Sequence, residues 1–231
     1  MPNPGSVHQP STRLLTRLGY ALNTDLSVGL LVLRALRHCE TVLEVGVGRP
    51  QYSWIRKLPS STLARSVGID VYRPYLDDSA LIGYWGNYVR ANALHLPFRD
   101  RAFEAGVALD VIEHLRKRDG LTLVKELKRV CTKRIVIMTP NGFLRQDGDE
   151  NPAQLHLSGW GTREFEEMGF DVTGVRGLKP LRRGHADPIV RPLPLGLLAC
   201  AATEPVGFFL PRLSFQLLAV WNNSEPSALT P

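Results

Sequence analysis

Nine residues, Val42-Leu43-Glu44-Val45-Gly46-Val47-Gly48-Arg49-Pro50, constrain this chain more than any other stretch. The short apolar run reads as a strand. The Gly-x-Gly that ends it lets the backbone reverse tightly and approach a ligand closely. Asp70 follows 22 residues after Gly48, at the end of a second apolar run, Val67 to Val71. An acid near that distance after a glycine turn is placed to hydrogen-bond ribose hydroxyls. The bland alternative for Asp70 is a turn-initiating aspartate.

A dinucleotide would demand more. Its pyrophosphate sits close to a helix N-terminus, which the third Gly of G-x-G-x-x-G permits. Gln51 holds that place, and Glu44 puts a carboxylate two residues before the first Gly. That carboxylate opposes a pyrophosphate and suits a cationic ligand, so a nicotinamide oxidoreductase is disfavoured.

Further strands are expected at Val107-Ala108-Leu109, entered from Phe103, at Arg134 to Met138, at Phe170 to Val175 and at Phe215 to Trp221. A helix from about Asp119 to Val130, capped by Asp119, would turn Leu123, Leu127 and Val130 to the sheet. Thr162 is the expected cap of a short helix carrying Phe165 and Met168 and stopped by Gly169. Upstream, Leu14, Leu15, Leu18 and Leu22 share a helical face. Leu26 to Leu36 is apolar almost all round, which predicts a buried helix. Strands alternating with helices predict an α/β fold with a doubly wound, mostly parallel sheet and helices on both faces. One domain over residues 12–223 accounts for the chain of 231, with tails at 1–11 and 224–231.

Cys39, Cys131 and Cys200 are odd in number, far apart and form no C-x-x-C. They point away from disulfides and zinc, and towards a reducing, cytoplasmic setting. No basic-then-apolar leader opens the chain, and no apolar run reaches the length of about 20 that spans a bilayer. The nearest approach, Leu193 to Trp221, is cut by Pro194, Pro205 and Pro211. The net charge of +6 concentrates between Arg116 and Arg134 and between Arg176 and Arg191. Such fields attract nucleic acid, anionic lipid or acidic small molecules; the bland reading is a solvated helix face and a basic loop.

Glu44-Val-Gly46-Val-Gly48 resembles motif I of class I S-adenosylmethionine (SAM)-dependent methyltransferases, in which an acid precedes G-x-G-x-G. Asp70 matches that family's ribose-binding acid. Asn92-Ala93 through Leu96-Pro97-Phe98 to Phe103-Glu104 resembles its D-A-x-x-LPF-x-D-x-x-F-D stretch. Asp110-Val111-Ile112-Glu113-His114-Leu115 resembles the strand end that follows. Together these stretches span roughly residues 40–140. Pro50, Asn92 and Glu104 depart from the family pattern.

The resemblance implies a Rossmann-like sheet of seven strands, the last antiparallel, and SAM as cofactor. It implies that Gly46 and Gly48 line the methionine part, with Glu44 nearby. Asp70 and Val71 would hold the ribose, Asn92 and Ala93 face the adenine, and Asp110 close the methionine end. His114 and His156 fall in loops that the family places near the methyl, so both are candidates for a general base. A third histidine, His185, lies in the basic loop. Asp110, Glu113 and His114 form a candidate metal cluster, similar to one in ubiquinone-pathway O-methyltransferases; the alternative is acidic residues at a helix start.

Thr139-Pro140-Asn141-Gly142-Phe143 and His156-Leu157-Ser158-Gly159-Trp160 look more like small-molecule enzymes than RNA or protein ones. The expected acceptor is thus a small-molecule hydroxyl, with glycan- and lipid-linked acceptors within that class. The alternatives are an RNA methyltransferase, with nucleic acid the less favoured partner, and a non-catalytic SAM-fold binding protein. Residues 180–211 are expected to form a basic loop and a lid-like apolar insertion. Within it Leu193 to Leu210 reads as a helix pair over the active-site mouth, or as a lid or membrane contact.

Overall fold

The apolar runs of the chain become the centre of one sheet. The computed structural model describes residues 25–49, 53–146, 151–184 and 186–223. The helical face Leu14 to Leu22, both tails, Pro50, Gln51 and His185 lie outside the described residues. β1 (Val42–Val45) is buried at all four positions. It lies between β2 (Val67–Asp70) and β4 (Phe103–Leu109), parallel to both. β3 (Asn87–Arg90) adds to β2, and β5 (Cys131–Pro140) to β4, again in parallel. The last strand, β7 (Ser214–Asn222), inserts antiparallel between β5 and β6 (Asp171–Leu178). The order is β3-β2-β1-β4-β5-β7-β6, the mostly parallel seven-stranded α/β sheet that the sequence predicts.

β3 has no counterpart in the sequence reading. Asn87-Tyr88-Val89-Arg90 is an edge strand with exposed ends and no apolar run, so its pairing with β2 alone defines it.

Alternate residues of each strand feed opposite faces. Leu43 and Val45 join Leu123, Leu127 and Val130 of α4 (Lys117–Val130) and Phe165 of α5 (Thr162–Glu167). Val42 joins the other face, with Val28 and Val32 of α1 (Asp25–Ala35), Leu63 of α2 (Ser60–Ala64) and Leu76 of α3 (Arg73–Ile82). α1 is not buried all round: Leu30 on its outer side is 59% exposed. Val28, Val32 and the following Leu36 are buried against the sheet, with Leu31, Leu33 and Ala35 packed beside them.

Both expected caps shift by a residue or more. α4 begins at Lys117, behind an extended Arg116, and Asp119 lies in its first turn. There its carboxylate favours the helix dipole without capping it. α5 is preceded by Gly161, whose N–H donates to Glu164 Oε2 at 2.8 Å, so Thr162 is the first helical residue. Gly169 follows that helix at φ +83°, as expected of a stop signal.

After β6 the chain forms a two-stranded ribbon, Arg182–Arg183 against Asp187–Pro188. Arg182 is buried, its guanidinium donating to the carbonyls of Arg176 and Ala186, so it is no part of a solvated basic loop. α6 (Leu193–Ala202) and α7 (Glu204–Phe209) form the expected helix pair. They pack on the edge strand β6, where Gly174 meets Gly207 and Gly177 meets Cys200. Among the described residues, no helix is long and apolar enough to cross a membrane.

Candidate functional site

The C-terminal ends of β1, β2, β4 and β5 converge on one rim. The amides of Gly46 and Val47 donate to Ile69 O at 2.8 and 3.1 Å, which ties the glycine turn to β2. Gly46 has φ +74°, and a Cβ there would lie 2.5 Å from Val111 Cγ2. Glycine is therefore required twice over, by backbone and by space. Gly48 has φ +52° and faces open space, its nearest neighbour being Gly46 O at 4.0 Å.

Asp70 stitches two loops together. Its Oδ2 accepts the N–H of Gly48 at 3.1 Å and its Oδ1 that of Tyr72 at 2.8 Å. The second bond is the turn-forming role; the first reaches the glycine loop. Burial pushes its carboxyl up, and the amides of Tyr72 and Gly48 pull against that. Val71, beside it, is exposed.

Glu44 does not open towards the rim. It is buried on the α1–α3 side of the sheet and accepts from Trp85 Nε1 at 2.6 Å, Ser53 Oγ at 3.0 Å and Tyr84 Oη at 3.3 Å. Burial pushes its carboxyl up to about 7, although these donors pull it down. No sequence signal pointed to Trp85 or Tyr84, because neither lies at a helical or strand spacing from Glu44.

At the end of β3, Asn92 folds on itself. Its Oδ1 accepts the N–H of Leu94 at 2.9 Å, and its backbone bridges to His95. Asn92 is exposed and Ala93 half-buried.

Beyond β4 the structure regroups the other candidates. Asp110, at φ +53°, accepts from Gln216 Nε2 of β7 at 2.8 Å. Glu113 is buried, and Thr139 Oγ1 donates to its Oε2 at 3.0 Å. Burial, and then the charge of Asp110, push the Glu113 carboxyl well above the usual range. His114 and His156 stack edge to face with ring centroids 4.8 Å apart. His114 Nδ1 lies 3.3 Å from Leu155 O, and His156 Nδ1 2.6 Å from Leu144 O. Burial, with His156 beside it, pushes His114 down to about 4. The potential ligand atoms that lie within 4.8 Å of one another belong to Glu113, His114 and His156. Asp110, expected in that cluster, is not among them, because its side chain is engaged with Gln216 on β7; His156 takes the place.

The loop carrying His156 is held by its own sequence. The amides of Leu157 and Ser158 donate to Glu113 O at 2.8 and 3.0 Å. Trp160 is fully buried, with its indole N–H on Ser158 Oγ at 2.9 Å and Lys117 Nζ 3.8 Å from its ring. It packs against α4 where Gly120 leaves room.

A cavity of about 340 Å³ lined by Arg34, Arg37, His38, Cys39, Lys133 and Arg134 lies elsewhere, at the N-terminal ends of the parallel strands. Arg34 and Arg37 sit at the C-terminal end of α1, where a helix dipole favours positive charge; Arg134 donates to Ala35 O at that end, and Lys133 pairs with Glu104.

Residues 43–137 match the family model described as a methyltransferase domain. Over that stretch, which is less than half of its length, the chain is similar to methyltransferase domains. The chain is also similar to an uncharacterized protein of Methanocaldococcus jannaschii, 27% identical over 82 residues, which are 36% of each chain. It thus spans about a third of the length of that relative. Among solved structures it is similar to a SAM-dependent methyltransferase from Archaeoglobus fulgidus, at 17% identity and a TM-score of 0.53, over 87% of this chain and 95% of that one. The small RNA methyltransferase HEN1 is similar at 15% identity and a TM-score of 0.51, over 98% of this chain and 27% of that one. At these identities the structural likeness shows the fold alone.

Proposed function

We propose that this methyltransferase moves the methyl of SAM to a hydroxyl of a small acceptor at the ends of β4 and β5, with the His114–His156 pair receiving the proton. The observation that carries this reading is the contact of the two imidazoles, each with Nδ1 facing a backbone carbonyl. In the neutral tautomer that donates through Nδ1, Nε2 is the basic nitrogen. The low pKa of His114 keeps that ring neutral at physiological pH.

SAM supplies an electrophilic methyl on its sulfonium. The residues at the rim fit it. Gly48 leaves an open cradle over a positive-φ turn, where backbone can approach a ligand closely. Asp70 has lone pairs beyond the two amides it accepts, available to ribose hydroxyls. In this reading Gly46 and Gly48 line the methionine part, Asp70 and Val71 hold the ribose, Asn92 and Ala93 face the adenine and Asp110 closes the methionine end. Glu44 supports the glycine turn from beneath.

A divalent cation at Glu113, His114 and His156 is the second reading, favoured by the closeness of their ligand atoms. Two imidazoles and one carboxylate suit a transition metal better than Mg²⁺. The cation would orient an acceptor oxygen and favour its deprotonated form.

The test is methyl transfer from labelled SAM to a panel of small hydroxylated acceptors and to RNA. Transfer to a small hydroxyl supports the reading. Transfer to RNA alone would move the acceptor to the polynucleotide that the charge of +6 can attract. SAM binding with no transfer to any member would leave a binding protein.

A further inference from the structure

The helix pair α6–α7 is built inside out. A helix laid on a sheet normally turns its large apolar residues inward. In α6 the buried positions are Gly196 and Cys200, one turn apart, and in α7 the buried position is Gly207. These small residues let the pair sit almost backbone to backbone on its supports. A Cβ on Gly196 would come within 2.3 Å of Val190 O, and one on Gly174 of β6 within 2.1 Å of Gly207 O. The large residues therefore point out. Leu195, Leu198, Val206, Phe208, Phe209, Leu210 and Leu213 are all exposed, Phe209 by 77%. Between Leu193 and Leu213 the charged residues are Glu204, half-buried, and Arg212.

An apolar face of this kind is a contact surface rather than an accident of folding. Its composition and rim select the partner. Protein interfaces favour aromatic residues, Met and Arg at their centres and under-represent Leu and Val; this face is mostly Leu and Val, with Phe208 and Phe209 as its aromatic members. Exposed cations flank it in sequence: Lys179, whose Nζ donates to Asn141 O at 2.5 Å, and Arg183 before the pair, Arg191 at its entry and Arg212 at its exit. Apolar side chains framed by Lys and Arg are the chemistry of a helix lying in the headgroup region of an anionic bilayer. A helix of 10 residues is about 15 Å long, half the hydrocarbon thickness, so the contact is peripheral and not a span.

We propose that α6–α7 docks this methyltransferase on an anionic phospholipid surface. The docked face adjoins the candidate site through Asn141. Its Nδ2 donates to the carbonyls of Pro211, Arg212 and Ser214 at 3.1, 3.0 and 2.9 Å, clamping the exit of the pair to the end of β5. Three residues on, Leu144 O holds His156. Docking thus brings the end of β5 to the lipid surface, where an acceptor carried on a lipid would be met.

The proposal is tested by sedimenting the full chain with vesicles of phosphatidylcholine, with and without about a quarter phosphatidylglycerol, alongside light scattering in the absence of lipid. The wild type is expected to sediment with the anionic vesicles and to be released by salt. The double variant Leu198→Ser/Phe209→Ser is expected to lose about tenfold or more of that partitioning with unchanged thermal unfolding. The double variant Arg191→Gln/Arg212→Gln is expected to bind more weakly to anionic vesicles and to lose the preference for them. Failure of the wild type to sediment with anionic vesicles overturns the proposal. So does an apolar variant that binds vesicles as the wild type does. So does a wild-type dimer that the apolar variant turns into a monomer without change in vesicle binding, which would assign the face to a second copy. None of these readouts depends on methyl transfer, so a failed acceptor assignment leaves the test intact.

Discussion

The indole N–H of Trp85 donates to Glu44 Oε2 at 2.6 Å, joining residues 41 apart in sequence beneath the glycine turn. This contact gives the acid that precedes the turn a structural partner. Glu44 supports β1 from the α1–α3 side through Trp85, Ser53 and Tyr84, and its raised proton affinity follows from burial there.

That burial makes stability depend on pH. The folded carboxyl titrates at about 7 against an unfolded value of 4.5, so the folded state binds more protons between the two. Stability from this group is full below about 4.5, falls as pH rises towards 7 and is level above, by about 3 kcal/mol at most from the shift of Glu44. Urea unfolding at pH 5 and pH 8 should show the drop, and Glu44→Gln should flatten it. The same drop in both proteins would show that Glu44 does not titrate in this window.

Asp70→Ala is expected to weaken SAM binding by about 1–3 kcal/mol, the worth of hydrogen bonds to a charged group. Calorimetric titration checks it. Unchanged affinity would leave Asp70 with its structural bonds to Gly48 and Tyr72 alone.

His156→Ala is expected to lower turnover by about 10²–10⁴, the usual range for a lost general base, while the SAM dissociation constant stays within about twofold of wild type. Wild-type turnover would remove the base from this position. A parallel loss of SAM affinity would assign His156 to cofactor binding.

Gly46→Ala places a methyl 2.5 Å from Val111 Cγ2 at φ +74°. Strain of this kind costs about 1–3 kcal/mol. Denaturant unfolding should record it, and Val111→Ala in the same chain should restore part of the loss, since the two side chains meet directly. No recovery would assign the whole cost to the backbone.

Chelation separates the two readings at Glu113. A bound cation favours the ionised carboxylate, the opposite of what burial does to Glu113. If a metal serves there, dialysis against chelator should abolish turnover and added Mn²⁺ or Zn²⁺ should restore it. Turnover unaffected by chelation would favour the metal-free histidine pair.

The strand runs at Val42 and Val67, the turn at Gly46 and the acid at Asp70 were legible in sequence because their causes are local. An apolar strand, a glycine at positive φ and an acid at a strand end each follow from neighbours in the chain. The alternation of strands with the α4 pattern likewise carried the sheet, and Phe215 to Trp221 carried its reversed last strand. What stood outside the reading has causes distant in sequence. Asn87 to Arg90 is a strand because β2 offers it an edge. Asp119 and Thr162 had the right chemistry for caps, but α4 starts two residues before Asp119, and Glu164 caps α5 through the Gly161 amide. Only the fold turns Glu44 towards Trp85, removes Asp110 from the cluster by giving it Gln216, and seats His156 against His114 through two amides on Glu113 O. Local propensity sets which elements form, whereas the side-chain chemistry of a site is set by pairs that meet only after the chain has closed.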